Sequence, residues 1–369
     1  MDSLEQSRGR LERARAAVAE QEIAAVLLTP GSALRYLTGY DALPLERLTC
    51  LVMFGDDVEP VLVVPRLEEP AARAAGVAAL GISITSWDET DDPFEVIAGL
   101  LPTDGVVALD DQMWAEKVLR FREVMPQVEQ TLAGPVINAL RMRKSPEEVQ
   151  ALRNAGAAID RVHARMGEWL RVGRSERDVG RDIADAILAE GHERVDFVIV
   201  GSGPNGASPH HEVSDRVIEH GDAVVVDIGG TTPDGYCSDE TRVYAMGAVD
   251  PSFARDYAAL QAAQEAAVRH VKPGVTAESV DEAARSVLTA AGLGDVFVHR
   301  TGHGIGMSTH EEPYIVAGNQ LELAPGMAFS IEPGFYHSER WGARIEDIVV
   351  VTADGCERVN RQPRDLVIL

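Results

Sequence analysis

Apolar positions in the first third of the chain follow two rhythms. Leu4, Leu11 and Val18 fall on one helical stripe, which predicts an amphipathic helix over 4–22 and then a strand over 23–28. Apolar runs at 48–54, 58–64, 82–87 and 106–110 read as further strands, with helical patterns at 67–75, 93–100 and 112–123 between them. The alternation predicts an α/β domain over residues 1–138 that closes just after Gly134-Pro135. A basic stretch at 138–144 leads into Ser145-Pro146-Glu147-Glu148, where Ser145 is a good N-cap and Pro146 a good first helical residue. A second domain is expected over 139–369.

The second domain repeats itself weakly. A shift of 101 residues sets Gly173 against Gly274, Ser175 against Thr276, Val179 against Val280, Ile187 against Leu288 and Gly191 against Gly292. Each copy reads as a long helix, a glycine turn, an N-capped second helix and a terminal glycine. Strands are predicted after both, at 194–200 and 296–299. With small insertions the register continues from Pro209-His210 to Thr309-His310, from Asp227 to Glu332 and from Asp239 to Glu346. Such a duplication would place a site at a pseudo-twofold axis between the halves.

The repeated acids carry the chemistry. Asp227 ends the apolar run 223–226, Glu332 follows 327–331, and Glu346 stands at the head of 347–351. An acid at the end of a buried strand is costly unless something pairs with it. Together with Asp239 and His303 these residues make an oxygen-rich, strongly negative ligand set. Two divalent cations, about 3.5–4 Å apart in enzymes that activate a water against an amide or phosphate, would neutralise it.

Composition narrows the field. A net charge of −25 disfavours nucleic-acid binding, and the three cysteines are too scattered for a disulfide framework or a thiolate metal site. Apolar stretches stay short of the roughly 18–20 residues of a spanning helix, and the N-terminus lacks an apolar signal core, so a cytoplasmic, non-membrane protein is expected.

The motifs PHH, VDIGG, SDETR, GHGIG, HEEP, SIEPG and RIED, in that order, resemble those of the proline-specific dinuclear metallopeptidases, the creatinase, methionine aminopeptidase and prolidase group. The resemblance is strongest over about residues 145–360. It implies an α/β (α+β) fold class, with an N-terminal α/β creatinase-like domain ahead of a pseudo-twofold pita-bread catalytic domain. Overall the chain is similar to the bacterial Xaa-Pro dipeptidases of the PepQ type. By this resemblance Asp227 would chelate one ion, His303 and Glu332 the other, and Asp239 and Glu346 would bridge both. A hydroxide shared by the ions would attack the carbonyl before proline, with Glu332 transferring protons. His210 and His310 would face the substrate. The resemblance further implies Mn²⁺ as the metal, with Co²⁺, Zn²⁺ or Fe²⁺ as alternatives, and a homodimer. Cleavage of Xaa-Pro dipeptides is the expected activity. The alternatives are a Xaa-Pro aminopeptidase acting on longer peptides and an inactive peptide-binding protein of the same fold.

Other residues weigh differently. Arg344 lies two residues before Glu346, so a strand would turn both to one face, where the guanidinium could clamp a substrate carboxylate or balance Glu346. A structural role is favoured for Arg242 and for His211. His299 and His303 are spaced like a helical zinc pair, but Gly302 and Gly304 argue against a helix there. Gly201 to Gly206 fits GxGxxG, yet Ala207-Ser208-Pro209 continues as loop, so the segment is expected to be a turn that places His210.

Overall fold

The computed structural model describes residues 4–55 and 58–369, which fall into two compact units, Met1–Arg141 and Met142–Leu369. The division lies slightly beyond residue 138 because the helix Gly134–Met142 runs through the expected boundary.

The first unit is built on a mixed sheet of six strands: β1 Ala25–Leu28, β2 Cys50–Met53, β3 Val61–Pro65, β4 Ser83–Trp87, β5 Val106–Leu109 and β6 Glu129–Leu132. Their spatial order is β4-β3-β2-β1-β5-β6. Strands β1 to β3 pair antiparallel, whereas β5 joins β1 in parallel and β6 joins β5 in parallel. The sequence pattern missed β6, since Glu-Gln-Thr-Leu is a largely exposed edge strand with no apolar run.

The second unit begins where the capping pattern predicts. Ser145 accepts from the Glu148 N–H, the Glu148 side chain accepts from the Ser145 N–H, and Pro146 opens the helix Pro146–Ala164. A second helix, Glu176–Ala189, is followed by β7 Arg194–Ser202, β8 Ala223–Thr231 and β9 Glu240–Ala245. The helices Pro251–His270 and Ala277–Ala290 then precede β10 Gly302–Gly304, β11 Glu311–Ile315, β12 Ala328–Ile331, the hairpin of β13 Gly334–His337 with β14 Trp341–Arg344, β15 Asp347–Val351, β16 Cys356–Arg358 and β17 Val367–Ile368. One sheet runs β17-β9-β8-β7, and another runs β11-β10-β12-β15-β16.

The internal repeat is visible in the backbone. Ser175 and Thr276 cap equivalent helices, and each makes an isolated bridge to a following loop, at Val217 and Glu322. Gly173 and Gly274 both take left-handed φ, 92° and 83°. The antiparallel pairs β8–β9 and β12–β15 are counterparts, each with two of the acids within it or directly beside it. One expected correspondence fails: residues 296–299 are not a strand. Arg285 donates to the carbonyls of Phe297 and His299, which diverts them from a ladder, and the second copy's strand forms at β10 instead.

Candidate metal centre and substrate cavity

Asp227 lies within β8, opposite Thr241 of β9. Asp239 immediately precedes β9, Glu332 immediately follows β12 and Glu346 immediately precedes β15, so all four acids sit at neighbouring strand positions of the two pairs. The Thr241–Glu346 bridge joins the two halves at this level. His303 comes from β10, and its flanking glycines are required by close backbone approach. A Cβ on Gly302 would lie 1.9 Å from the Ser330 carbonyl, and one on Gly304 2.2 Å from the Glu312 carbonyl.

These five residues line one cavity of about 250 Å³, together with His210, His299, Arg300, His310 and Arg344. One donor atom each from Asp239, His303 and Glu346 lies within 4.8 Å of the others, and all three residues are buried. Burial pushes the Asp239 carboxyl well above its ordinary pKa, and the charges of Glu346, Asp227 and Glu332 push it further. Burial, Glu332 and Asp227 do the same to Glu346. Burial would also raise Glu332, but the hydrogen bond it accepts from His303 Nε2–H and the nearby charge of Arg344 outweigh that and lower it to about 2. Two acids therefore resist ionisation while the third stays charged.

The donor set fits divalent cations. Among the described residues, Asp227 Oδ1 and Glu346 Oε1 are buried without a hydrogen-bond partner. A carbonyl can only accept, so His303 Nδ1–H donates to Gly304 O at 3.1 Å. With Nδ1 so engaged, Nε2 faces Glu332 at 3.2 Å and Asp239 at 3.7 Å, where it donates to Glu332 while it carries a proton and offers its lone pair to an ion once that proton leaves. Around these groups the Ser330 hydroxyl accepts from the His303 N–H and donates to Glu332, and Thr241 Oγ1 donates to Glu346 at 2.8 Å. Arg242 binds the Glu346 carbonyl at 2.6 Å and the Asp347 carboxylate at 2.7 Å, in the structural role expected of it.

Arg344 does not stand free for a substrate. It ion-pairs with Asp227, approaches Glu332 at 3.8 Å, and donates to Tyr336 Oη at 2.9 Å and Thr241 Oγ1 at 3.2 Å. Its ion pair is with Asp227, where the sequence left a choice between Glu346 and a substrate carboxylate. Tyr336 in turn donates to His299 Nε2 at 2.8 Å, while His299 Nδ1 donates to the Arg300 carbonyl at 2.7 Å. His299 thus lines the cavity through its ring and has no access to the ligand cluster in zinc-pair fashion.

The cation that sequence reasoning missed is Arg300. Its guanidinium lies over the Tyr314 ring at 4.3 Å, it lines the cavity, and among the described residues no carboxylate lies within ion-pair distance of it. Nothing local in the sequence separates it from Arg344. His210 and His310 are exposed at the cavity rim, and His310 packs edge-on against His303 with ring centroids 4.1 Å apart. Partial burial, followed by repulsion from His303 and Arg300, lowers the His310 pKa to about 4. His211 points elsewhere, to Glu176 at 2.8 Å. The GxGxxG segment forms the short 3₁₀ turn Gly203–Ala207 with no α-helix after it.

Comparison with known proteins agrees with this architecture. The profile of the Creatinase/Prolidase N-terminal domain matches residues 10–143, and that of Metallopeptidase family M24 matches residues 150–353. The chain is 53% identical to the probable dipeptidase PepE of Mycobacterium tuberculosis, over 98% of this chain and 96% of that one. It is 35% identical to the Xaa-Pro dipeptidase of Lactobacillus helveticus, over 90% and 92%. The crystal structure of dipeptidase PepE from Mycobacterium ulcerans superposes with a TM-score of 0.95 at 51% identity, over 100% of this chain and 99% of that one. This chain belongs to metallopeptidase family M24, with a creatinase/prolidase-type domain ahead of its catalytic domain.

Proposed function

We propose that the protein is a dinuclear-metal-dependent prolidase that hydrolyses Xaa-Pro dipeptides, with Asp227, Asp239, His303, Glu332 and Glu346 holding the ions. The observation that carries this reading is one small cavity that joins a cluster of partnerless acid oxygens to an unpaired guanidinium. When bound, two divalent cations would supply Lewis acidity toward the scissile carbonyl and a water acidified toward neutral pH. Glu332, held ionised, is the group placed to accept and return a proton. His210 and His310 approach from opposite halves, and a neutral His310 offers a hydrogen bond to a developing oxyanion without adding charge. Arg300 takes the role of reading the free carboxylate next to proline, in place of Arg344, which already bonds Asp227, Tyr336, Thr241 and the Pro209 carbonyl.

The cavity volume of about 250 Å³ lies at the small end of ligand sites and favours a dipeptide over an extended chain. Manganese and a homodimer, both resting on the family resemblance, and a cytoplasmic setting complete the reading; elemental analysis of protein purified without added metal and sedimentation of the pure protein test the first two. The deciding experiment compares Ala-Pro with Ala-Pro-Ala as substrates for metal-depleted protein with Mn²⁺ restored. Cleavage of the dipeptide alone is expected. Cleavage of both would make the enzyme a Xaa-Pro aminopeptidase, and cleavage of neither would overturn the assignment.

A further inference from the structure

Glu176 is a fully buried carboxylate that the chemistry above does not use. It occupies the first position of the helix Glu176–Ala189, where the helix dipole favours negative charge. Its Oε1 accepts from the Ser202 N–H at 2.8 Å, the Ser202 hydroxyl at 2.6 Å and the Asn205 amide at 3.0 Å. Its Oε2 accepts from His211 Nε2 at 2.8 Å, the Ser214 N–H at 3.2 Å and the Ser214 hydroxyl at 2.5 Å. Burial alone would raise its pKa; the hydrogen bonds from Ser202 and Ser214 lower it instead.

Every one of these donors belongs to the single segment 202–214, at its two ends and in its middle, and that segment carries His210 to the cavity rim. A charge buried in this way fixes where a loop lies and adds no apolar contact to a core. The opposite half solves the same problem with different residues. The position equivalent to Glu176 is Ala277, and there the residue after His310, Glu311, is tied to Lys144 by a buried ion pair of 2.5 Å. In both halves the neighbour of the rim histidine is anchored to a buried charge, so the spacing of the two histidines across the cavity is held from behind.

We infer that Glu176 is a positioning residue that sets His210 against the substrate by clamping the segment 202–214. The inference rests on the substrate-facing role of His210 proposed above. A double-mutant cycle of Glu176→Gln and His210→Ala, with kcat/KM for Ala-Pro in the Mn²⁺-restored enzyme, separates the two ideas. His210→Ala alone should lower kcat/KM; if it does not, the role of His210 is wrong and the inference falls with it. Glu176→Gln should lower kcat/KM roughly tenfold in the parent and have little effect when His210 is already alanine. An equal loss in both backgrounds would make Glu176 merely structural. Amide hydrogen exchange gives a readout independent of activity: Glu176→Gln should speed exchange in 203–214 while leaving β8 and β12 protected, and unchanged exchange in that segment overturns the inference. If Glu176→Gln does not fold, Ser214→Ala, which removes one hydroxyl donor, carries the same cycle and the same criteria with a smaller expected loss.

Discussion

Replacing Lys144 by methionine tests how the catalytic unit holds its second rim histidine. The Lys144 and Glu311 side chains are 1% and 7% exposed, and their charged atoms lie 2.5 Å apart. Removing the cation leaves a carboxylate in a site that water hardly reaches, and breaking a buried pair in this way costs about 3–5 kcal/mol. For a unit of this size each kcal/mol lowers the melting temperature by about 2–4 °C, so the expected fall is about 6–20 °C. An exposed pair would be worth about 0–1 kcal/mol and move the transition by no more than about 4 °C. Differential scanning calorimetry of Lys144→Met, Glu311→Gln and the double variant distinguishes these. The double variant should recover much of the loss, since it removes the carboxylate's charge along with the lysine's. A shift of the single lysine variant within the exposed-pair range, or a double variant no better than Lys144→Met, would refute the reasoning.

Arg300→Ala should raise KM for Ala-Pro about tenfold or more, the order of a lost hydrogen-bonded charge contact, and change KM for Ala-Pro-amide little. Equal effects on both substrates would show that Arg300 does not read the carboxylate. Glu332→Ala should abolish turnover while circular dichroism and the melting profile keep their folded form, and unchanged activity in that variant would remove the proposed site.

The acids were legible in the sequence because their signal is local: a carboxylate directly next to an apolar strand run, repeated in the same order in both halves. The glycines around His303 were legible for the same reason, and the close approach of Ser330 and Glu312 supplies their cause. What escaped depends on distant partners. Which arginine is free is decided by Asp227, a residue 117 positions from Arg344, and the pattern of residues 296–299 gave no sign that Arg285 would capture its carbonyls. The role of Glu176 was hidden because a helix-opening glutamate reads as ordinary helix chemistry until the loop 202–214 folds onto it.

Charge balance at the cluster bears on how many ions it takes. Four carboxylates face one buried guanidinium, and as a metal ligand His303 is a neutral ring, so full ionisation leaves three negative charges. One divalent ion would leave a negative charge still unbalanced, while two leave a single positive charge, suited to an anionic substrate. Without metal the structure meets the problem with protons: Asp239 and Glu346 have pKa values raised well above ordinary, by burial first and their acidic neighbours next. A group whose folded pKa exceeds its unfolded value stabilises the fold below the unfolded value and loses that contribution as pH rises through the folded one. Glu332 has the opposite sign, but with a pKa of about 2 its contribution is lost only in strong acid. Metal-depleted protein should therefore lose stability as pH rises from the ordinary carboxylate range, and saturating Mn²⁺ should flatten that slope. The same protons must leave when the ions enter. Calorimetric titration with Mn²⁺ near neutral pH, in buffers of different ionisation enthalpy, should show proton release that falls as pH rises. Binding without proton release from pH 6 to 8, joined to a melting temperature of the metal-free protein that does not fall with pH, would mean that Asp239 and Glu346 are already ionised and that Arg344 and its surroundings balance the acids without help.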